Sequence, residues 1–203
     1  KPNSALIGSL FELLREEPVL RLRAFTAALM MASFSLFWTS VALRLAQPPF
    51  TLGQSGIALF ALVGAGGAAA TSVFGRMGDR GWTRTATLAS HLIVLAAMAL
   101  AGWVGAIRSG DSIGLLVLLG ASAVLLDVGV TGDQTLGRRA VNLLKPEARG
   151  RINGLFVGIF FLGGALGSAL AGTAWDFGGW VGVCAAAAGF GLIALITGLA
   201  ARR

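Results

Sequence analysis

SGIALFALVGAGGAAATSVFG, residues 55–75, contains no charged residue and no alternation of polar with apolar side chains. A run of about 20 apolar residues can cross roughly 30 Å of hydrocarbon as a helix. Every face of this run is apolar or small, which suits a lipid environment and not an amphipathic surface helix. Residues 64–69 also fit the loose dinucleotide fingerprint G-x-G-x-x-A, but that fingerprint needs a strand before it and a helix opening at it. Inside an apolar run it has neither, so the nucleotide reading is rejected.

Five more runs meet the same length criterion: 24–43, 85–107, 113–136, 152–175 and 180–201. Composition agrees with them. Of 203 residues, 56% are hydrophobic and 30 are glycine, while only 12% are charged. Soluble domains carry about 25% charged residues, and a water-soluble globule of this size could not hide so much apolar surface. A soluble enzyme, a collagen and a disordered tail are excluded. The lone Cys184 supports neither a disulfide nor a cysteine zinc site. Helices satisfy their own backbone polar groups in lipid, so the expected fold class is an all-α membrane protein of six transmembrane helices.

The net charge of +7 suggests either nucleic acid or the positive-inside bias of membrane loops. Placement decides. Of the 16 Lys and Arg residues, all but Arg44 and Arg108 fall on one side of the six spans: Lys1, Arg15, Arg21 and Arg23, then Arg76, Arg80 and Arg84, then Arg138, Arg139, Lys145, Arg149 and Arg151, and finally Arg202 and Arg203. Both termini are therefore expected in the cytoplasm, in a plasma (cytoplasmic) membrane, with no nucleic-acid partner. Trp103, Trp175 and Trp180 fall at the expected outer interface and Trp82 at the inner one, as aromatic belts do. Residues 1–22 differ from the rest. Leu6, Leu10, Leu13 and Leu14 recur at helical spacing beside Glu12, Arg15, Glu16 and Glu17, with Ser4 as N-cap and Pro18 as terminator. They read as a cytoplasmic amphipathic linker, and residues 23–203 as the transmembrane bundle. The chain opens on Lys1 with no signal peptide and reads as a piece of something longer.

Shifting the sequence by 97 positions lays the second span on the fifth. Gly66, Gly67, Ala68, Gly75, Asp79 and Gly81 meet Gly163, Gly164, Ala165, Gly172, Asp176 and Gly178. The two copies face opposite sides of the membrane, so spans one to three and four to six form a 3+3 inverted repeat, the internal symmetry of many secondary transporters. The glycines permit close helix approach.

The loop from Gly75 through Met77, Asp79 and Arg80 to Arg84 resembles the signature loop of the major facilitator superfamily, G-x-x-x-D-[RK]-x-G-R-[RK]. Gly75, Asp79, Arg80 and Arg84 match; Trp82 and Thr83 depart from it. The run from Arg149 to Asn153, continued by residues 161–168, is similar to the eleventh helix of the drug:proton antiporter-like branch. The resemblance implies half of a twelve-helix fold, spans seven to twelve, with the N-terminal six-helix half missing. It further implies alternating access about a cavity between the halves. The expected function is the C-terminal half of a secondary active transporter moving a small organic solute, with proton-coupled efflux favoured. The alternative is a half-size six-span scaffold or subunit without transport of its own.

Within this frame some residues carry more chemistry than others. Asp127 lies within the fourth span, where an ionised carboxylate is costly and so lines water or meets a partner. Asp127, Thr131, Gln134 and Arg138 follow helical spacing as one polar stripe toward the cytoplasm. Ser33, Phe37, Ser40 and Arg44 share a face of the first span, with Ser35, Trp38 and Thr39 beside it, and could form an aromatic-polar wall for the solute. Asn153 and Phe156 open the fifth span in the same capacity. Asp79 can pair with Arg138 or Arg139 and bias the inward–outward equilibrium. His91 is expected to be packed and peripheral, and Asp133 hydrated near the cytoplasmic end. No G-x-S-x-G elbow, HExxH, P-loop or EF-hand spacing occurs, so no enzyme, metal or cofactor is expected.

Overall fold

The computed structural model describes residues 2–201. Lys1, Arg202 and Arg203, counted above among the cations of one side, lie outside the described residues. Helices account for nearly all the rest: α1 (Pro2–Glu16), α2 (Pro18–Leu45), α3 (Gln54–Gly64), a 3-10 segment (Ala65–Ala70), α4 (Thr71–Asp79), α5 (Thr83–Ala106), α6 (Ser112–Asn142) and α7 (Arg149–Ala200). Five helical stretches are long and apolar enough to span a bilayer.

The last stretch contains two of the expected spans. A straight helix of 52 residues would run about 78 Å, far beyond the hydrocarbon thickness. Gly179, at φ 60 and ψ −149, breaks it, in a backbone region that favours glycine. The contacts on either side show that the chain doubles back there. A Cβ at Gly163 would lie 2.1 Å from the Ala28 carbonyl and one at Gly167 would lie 2.3 Å from that of Ala32, so this limb runs parallel to α2. Beyond the break, Ser33 Oγ donates to the Ala187 carbonyl at 2.7 Å, and Phe37 meets Trp180 at 5.3 Å between ring centroids. That limb descends antiparallel to α2.

The second span departs from a regular α-helix at its glycine cluster. Gly67 lies so close to α6 that a Cβ there would be 2.6 Å from the Val124 carbonyl and 2.7 Å from Asp127 Cβ. One contact pair recurs at the 97-residue offset, and a second comes within one residue of it. Gly67 against Val128 matches Gly164 against Met31, both at 3.0 Å. Gly129 lies against the Ser90 carbonyl, and Ser33, one residue beyond the position that the offset pairs with Gly129, bonds to that of Ala187. Each pair joins a helix of one triplet to a helix of the other.

The two ends of the bundle are chemically distinct. At one end Arg84 donates to the carbonyls of Gly198 and Ala201 at 3.2 and 3.1 Å, closing the C-terminus of α7, as cations near helix C-termini do. At the opposite end Arg44 is fully buried. It donates to the carbonyls of Gly105, Pro48 and Ile107 at 2.9, 3.1 and 3.1 Å and stacks over Phe50. Arg44 therefore fastens the α2–α3 loop to the end of α5 and is no part of a solute-facing wall.

Three sequence expectations change. Helix α1 starts at Pro2, so Ser4 lies in its first turn and is not the N-cap. Its Phe11 is 69% exposed and Leu13 is buried, while Lys145 ties its end to Glu16 at 3.1 Å and Glu17 at 3.6 Å. The neighbouring Glu16 holds the Lys145 ammonium above its ordinary range. Trp82 and Trp103 are exposed at opposite ends of α5, but Trp180 is buried, its indole N–H bonded to the Ala101 carbonyl at 2.8 Å over the space left by Gly105. Asp133 is likewise fully buried, not hydrated, and His91 is buried and packed as expected. Asp133 Oδ1 lies 2.7 Å from His91 Nε2 across the α5–α6 interface, as two groups too costly to leave unpaired in a membrane interior would.

Candidate functional site

The polar stripe of α6 lies on the open face of the bundle. Asp127 is half-buried and lines a recess of about 400 Å³ with Phe34 and Trp38 of α2 and Gly64, Ala65 and Ala68 of the second span. Thr131 Oγ1 approaches Asp127 Oδ1 at 3.4 Å, and the backbone amide of Ala68 faces the carboxylate from the other side. The 3-10 segment thus sits beside the one carboxylate in this recess, and mid-helix 3-10 turns often mark hinges. One turn further along, Thr131, Gln134, Arg138 and Arg139 line a second recess of about 710 Å³ with Thr71, Asn142 and Arg149. Asp127, Thr131, Gln134 and Arg138 therefore line adjoining recesses along one face of α6, running from an aromatic recess toward the cation-rich end.

The α2 contribution differs from expectation. Ser33 and Phe37 are fully buried on the side of α2 that meets α5 and the second limb of α7. Ser33 is spent on Leu29 and Ala187 carbonyls, and Phe37 on Trp180. The open side carries Phe34, Ser35, Trp38 and Thr39 instead. Trp38 packs on Phe34, Phe37 and Phe60, and Thr39 Oγ1 lies 3.2 Å from Ser168 Oγ. Phe156 is also withdrawn from the face: fully buried, it fills the space left by Gly137, 3.1 Å from where a Cβ would stand. Asn153 is half-buried near the start of α7.

The loop after α4 pairs across to α6. Asp79 forms an ion pair with Arg139, and Gly78 lets the Arg139 stem approach, with Cδ 3.0 Å from a built Cβ. Arg138 instead lines the open recess. Gly81, at φ 79, turns the chain between α4 and α5; Arg80 lies over the Trp82 ring; and nothing lies within 4 Å of a Cβ at Gly75. Among the described residues no group of three or more His, Cys, Asp or Glu could hold a metal ion.

The family model "Major Facilitator Superfamily" matches residues 8–203. The chain belongs to the major facilitator superfamily. It is 35% identical over 191 residues to "Putative uncharacterized transporter YgaY" of Escherichia coli strain K12, covering 94% of this chain and 46% of that protein. A further relative, "Probable transporter SCO4007" of Streptomyces coelicolor, is 29% identical over 176 residues, covering 86% of this chain and 39% of that protein. The chain thus spans about half the length of the relatives it matches. No solved structure matches it significantly. Family membership and the apolar helices together make this an integral membrane protein of a transporter family.

Proposed function

We propose that the chain is the C-terminal six-helix half of a secondary active transporter of the cytoplasmic membrane, exporting a small organic solute against a proton gradient. Spans seven to twelve of a twelve-span protein would then supply one wall of a central cavity, with the N-terminal half as the other. The observation that carries this reading is the open face of α6. Asp127 stands there in an aromatic recess, continuous in direction with Thr131, Gln134 and Arg138. A face bearing a carboxylate and an indole is suited to an amphipathic or cationic solute and to a titrating proton site.

Three further features support it. Both relatives are named as transporters and are about twice as long as the chain. Contacts that recur at, or within one residue of, the 97-residue offset support a 3+3 inverted repeat, which would let the helices rock as units. The Asp79–Arg139 pair is solvent-exposed at 66% and 39% of the two side chains, so it adds little to stability. It can instead latch one conformation of the α4–α5 loop, with Gly75, Arg80 and Arg84 shaping that loop. By the positive-inside bias the cation-rich end, with both termini, is cytoplasmic.

The test is a flux assay on the full transporter in proteoliposomes, with an imposed proton gradient and a panel of organic cations, anions and neutral amphiphiles. Gradient-dependent movement of at least one class, abolished by a protonophore, is the expected result. Flux indifferent to the gradient across the whole panel would refute the coupling.

A further inference from the structure

The two recesses along α6 carry opposite charge. The aromatic one holds Asp127 and no other ionisable group. The one nearer the cation-rich end is lined by Arg138, Arg139 and Arg149 and by no carboxylate. They adjoin at Thr131, whose Oγ1 lies 3.4 Å from Asp127 Oδ1 and which also lines the second recess. Several cations at this end are tied down. Arg139 pairs with Asp79, Lys145 with Glu16 and Glu17, Arg84 caps α7, and Arg21 bonds to the carbonyls of Leu14 and Arg15. Arg138 and Arg149 are different. Both are exposed, and neither has a hydrogen-bond or ion-pair partner among the described residues. Their guanidinium forks stand free and reachable on one concave wall, as bidentate recognition of a carboxylate, sulfonate or phosphate needs.

At about 1.5 Å per residue, Asp127 and Arg138 stand about 16 Å apart along the axis of α6. Beside Asp127, Phe34 and Trp38 supply aromatic rings with centroids 6.1 Å apart, and such rings attract an ammonium group. We propose, on the reading of the α6 face as the solute path, that the solute is zwitterionic: its ammonium meets Asp127, its anionic group meets Arg138 and Arg149, and an apolar or aromatic spacer lies along the face between them. A purely cationic solute would have to pass the arginines unaided, and a purely anionic one would leave Asp127 unmatched. An ammonium at Asp127 also competes with a proton for the carboxylate, as exchange of solute for protons requires. The anionic end sits beyond a Debye length of roughly 8–10 Å and does not reverse that competition.

The test is calorimetric binding to the full transporter in nanodiscs, with no gradient imposed. The probes are 4-(aminomethyl)phenylalkanoic acids of several chain lengths, with ammonium and carboxylate roughly 10–15 Å apart to match the helix rise. Each is compared with its methyl ester, which keeps only the ammonium, and its N-acetyl derivative, which keeps only the carboxylate. The parent acid should bind about tenfold more tightly than either derivative, as one added charge-assisted contact provides. Arg138→Gln and Arg149→Gln should each narrow the preference for the acid over its ester, and added salt should do the same. Asp127→Asn should instead narrow the preference over the N-acetyl derivative. Arg15→Gln removes an equal charge from the exposed surface of α1 and should change neither preference. Ester or N-acetyl derivative binding as tightly as the acid would overturn the proposal. So would binding of no member of the series, or a preference that Arg15→Gln narrows as much as Arg138→Gln does. Flux indifferent to the gradient with the binding preference intact would refute proton coupling alone, so the two failures are distinguishable.

Discussion

Gly163→Val is expected to prevent the first limb of α7 from seating on α2. A Cβ at Gly163 would lie 2.1 Å from the Ala28 carbonyl oxygen and 2.6 Å from Ala28 Cα. These atoms are helix backbone and cannot swing aside as a side chain would. The same limb repeats the close approach at Gly167, 2.3 Å from the Ala32 carbonyl, so the two helices touch along a track that tolerates no side chain. Overpacking of a tight core costs about 1–3 kcal/mol, and a backbone clash of this depth belongs at the top of that range or beyond. Thermal unfolding in detergent should show a large drop for Gly163→Val and little change for Gly158→Val, where nothing lies within 4 Å of a Cβ. Equal, small changes for both would show that α2 and α7 do not meet as described.

Asp127→Asn is expected to abolish proton-driven flux with little effect on folding. Asp127 accepts a long hydrogen bond from Thr131, at 3.4 Å, beside the Ala68 backbone amide, and is open to the recess; an amide oxygen can still accept from both, so amidation removes a charge without stranding a buried partner. If the carboxylate cycles its proton during transport, the amide cannot, and gradient-dependent flux should fall by at least about tenfold. Asp127→Glu should recover part of it. Retention of full flux with unchanged pH dependence in Asp127→Asn would remove Asp127 from the proton pathway.

Much of this architecture was legible because membrane spans and glycine tracks leave local signals. The break at Gly179 lies in the short gap between the last two predicted spans. The offset that aligns residues 66–68 with residues 163–165 marked Gly67, Gly163 and Gly164, which meet neighbouring helices, but also Gly66, beside which nothing lies within 4 Å of a Cβ, as at Gly172. The α6 stripe could be read because Asp127, Thr131, Gln134 and Arg138 stand out against an apolar helix. The orientation of α2 was not legible. Its apolar residues surround the axis, so no periodicity distinguished the Ser33 and Phe37 side from the Phe34 and Trp38 side. Ser33, which suggested a solute wall, is bonded to carbonyls of α2 and α7 instead, a common fate of hydroxyls in membrane helices. Phe156 was misplaced for the same reason: only the partner glycine at position 137 reveals that it points inward.

His91 and Asp133 are 42 residues apart, and no spacing rule links them. A signal was nonetheless present. A lone histidine and a carboxylate off the polar stripe, both within membrane spans, each need a partner. The burial of Arg23, which donates to Thr87 Oγ1 one turn from His91, was hidden too, because Arg23 also counted as an ordinary positive-inside cation.

Access to the α6 face tests the central claim most directly. In a Cys184→Ser background, which removes the single, buried native thiol, cysteine is placed at one position at a time: Thr131, Gln134, Ser33 and Phe37. A membrane-impermeant maleimide is then applied from the cation-rich side of oriented vesicles. Thr131→Cys and Gln134→Cys should label and be protected by a transported solute, while Ser33→Cys and Phe37→Cys should stay unreactive. Labelling of Ser33→Cys with Gln134→Cys inert would contradict the assignment of this face to the solute pathway.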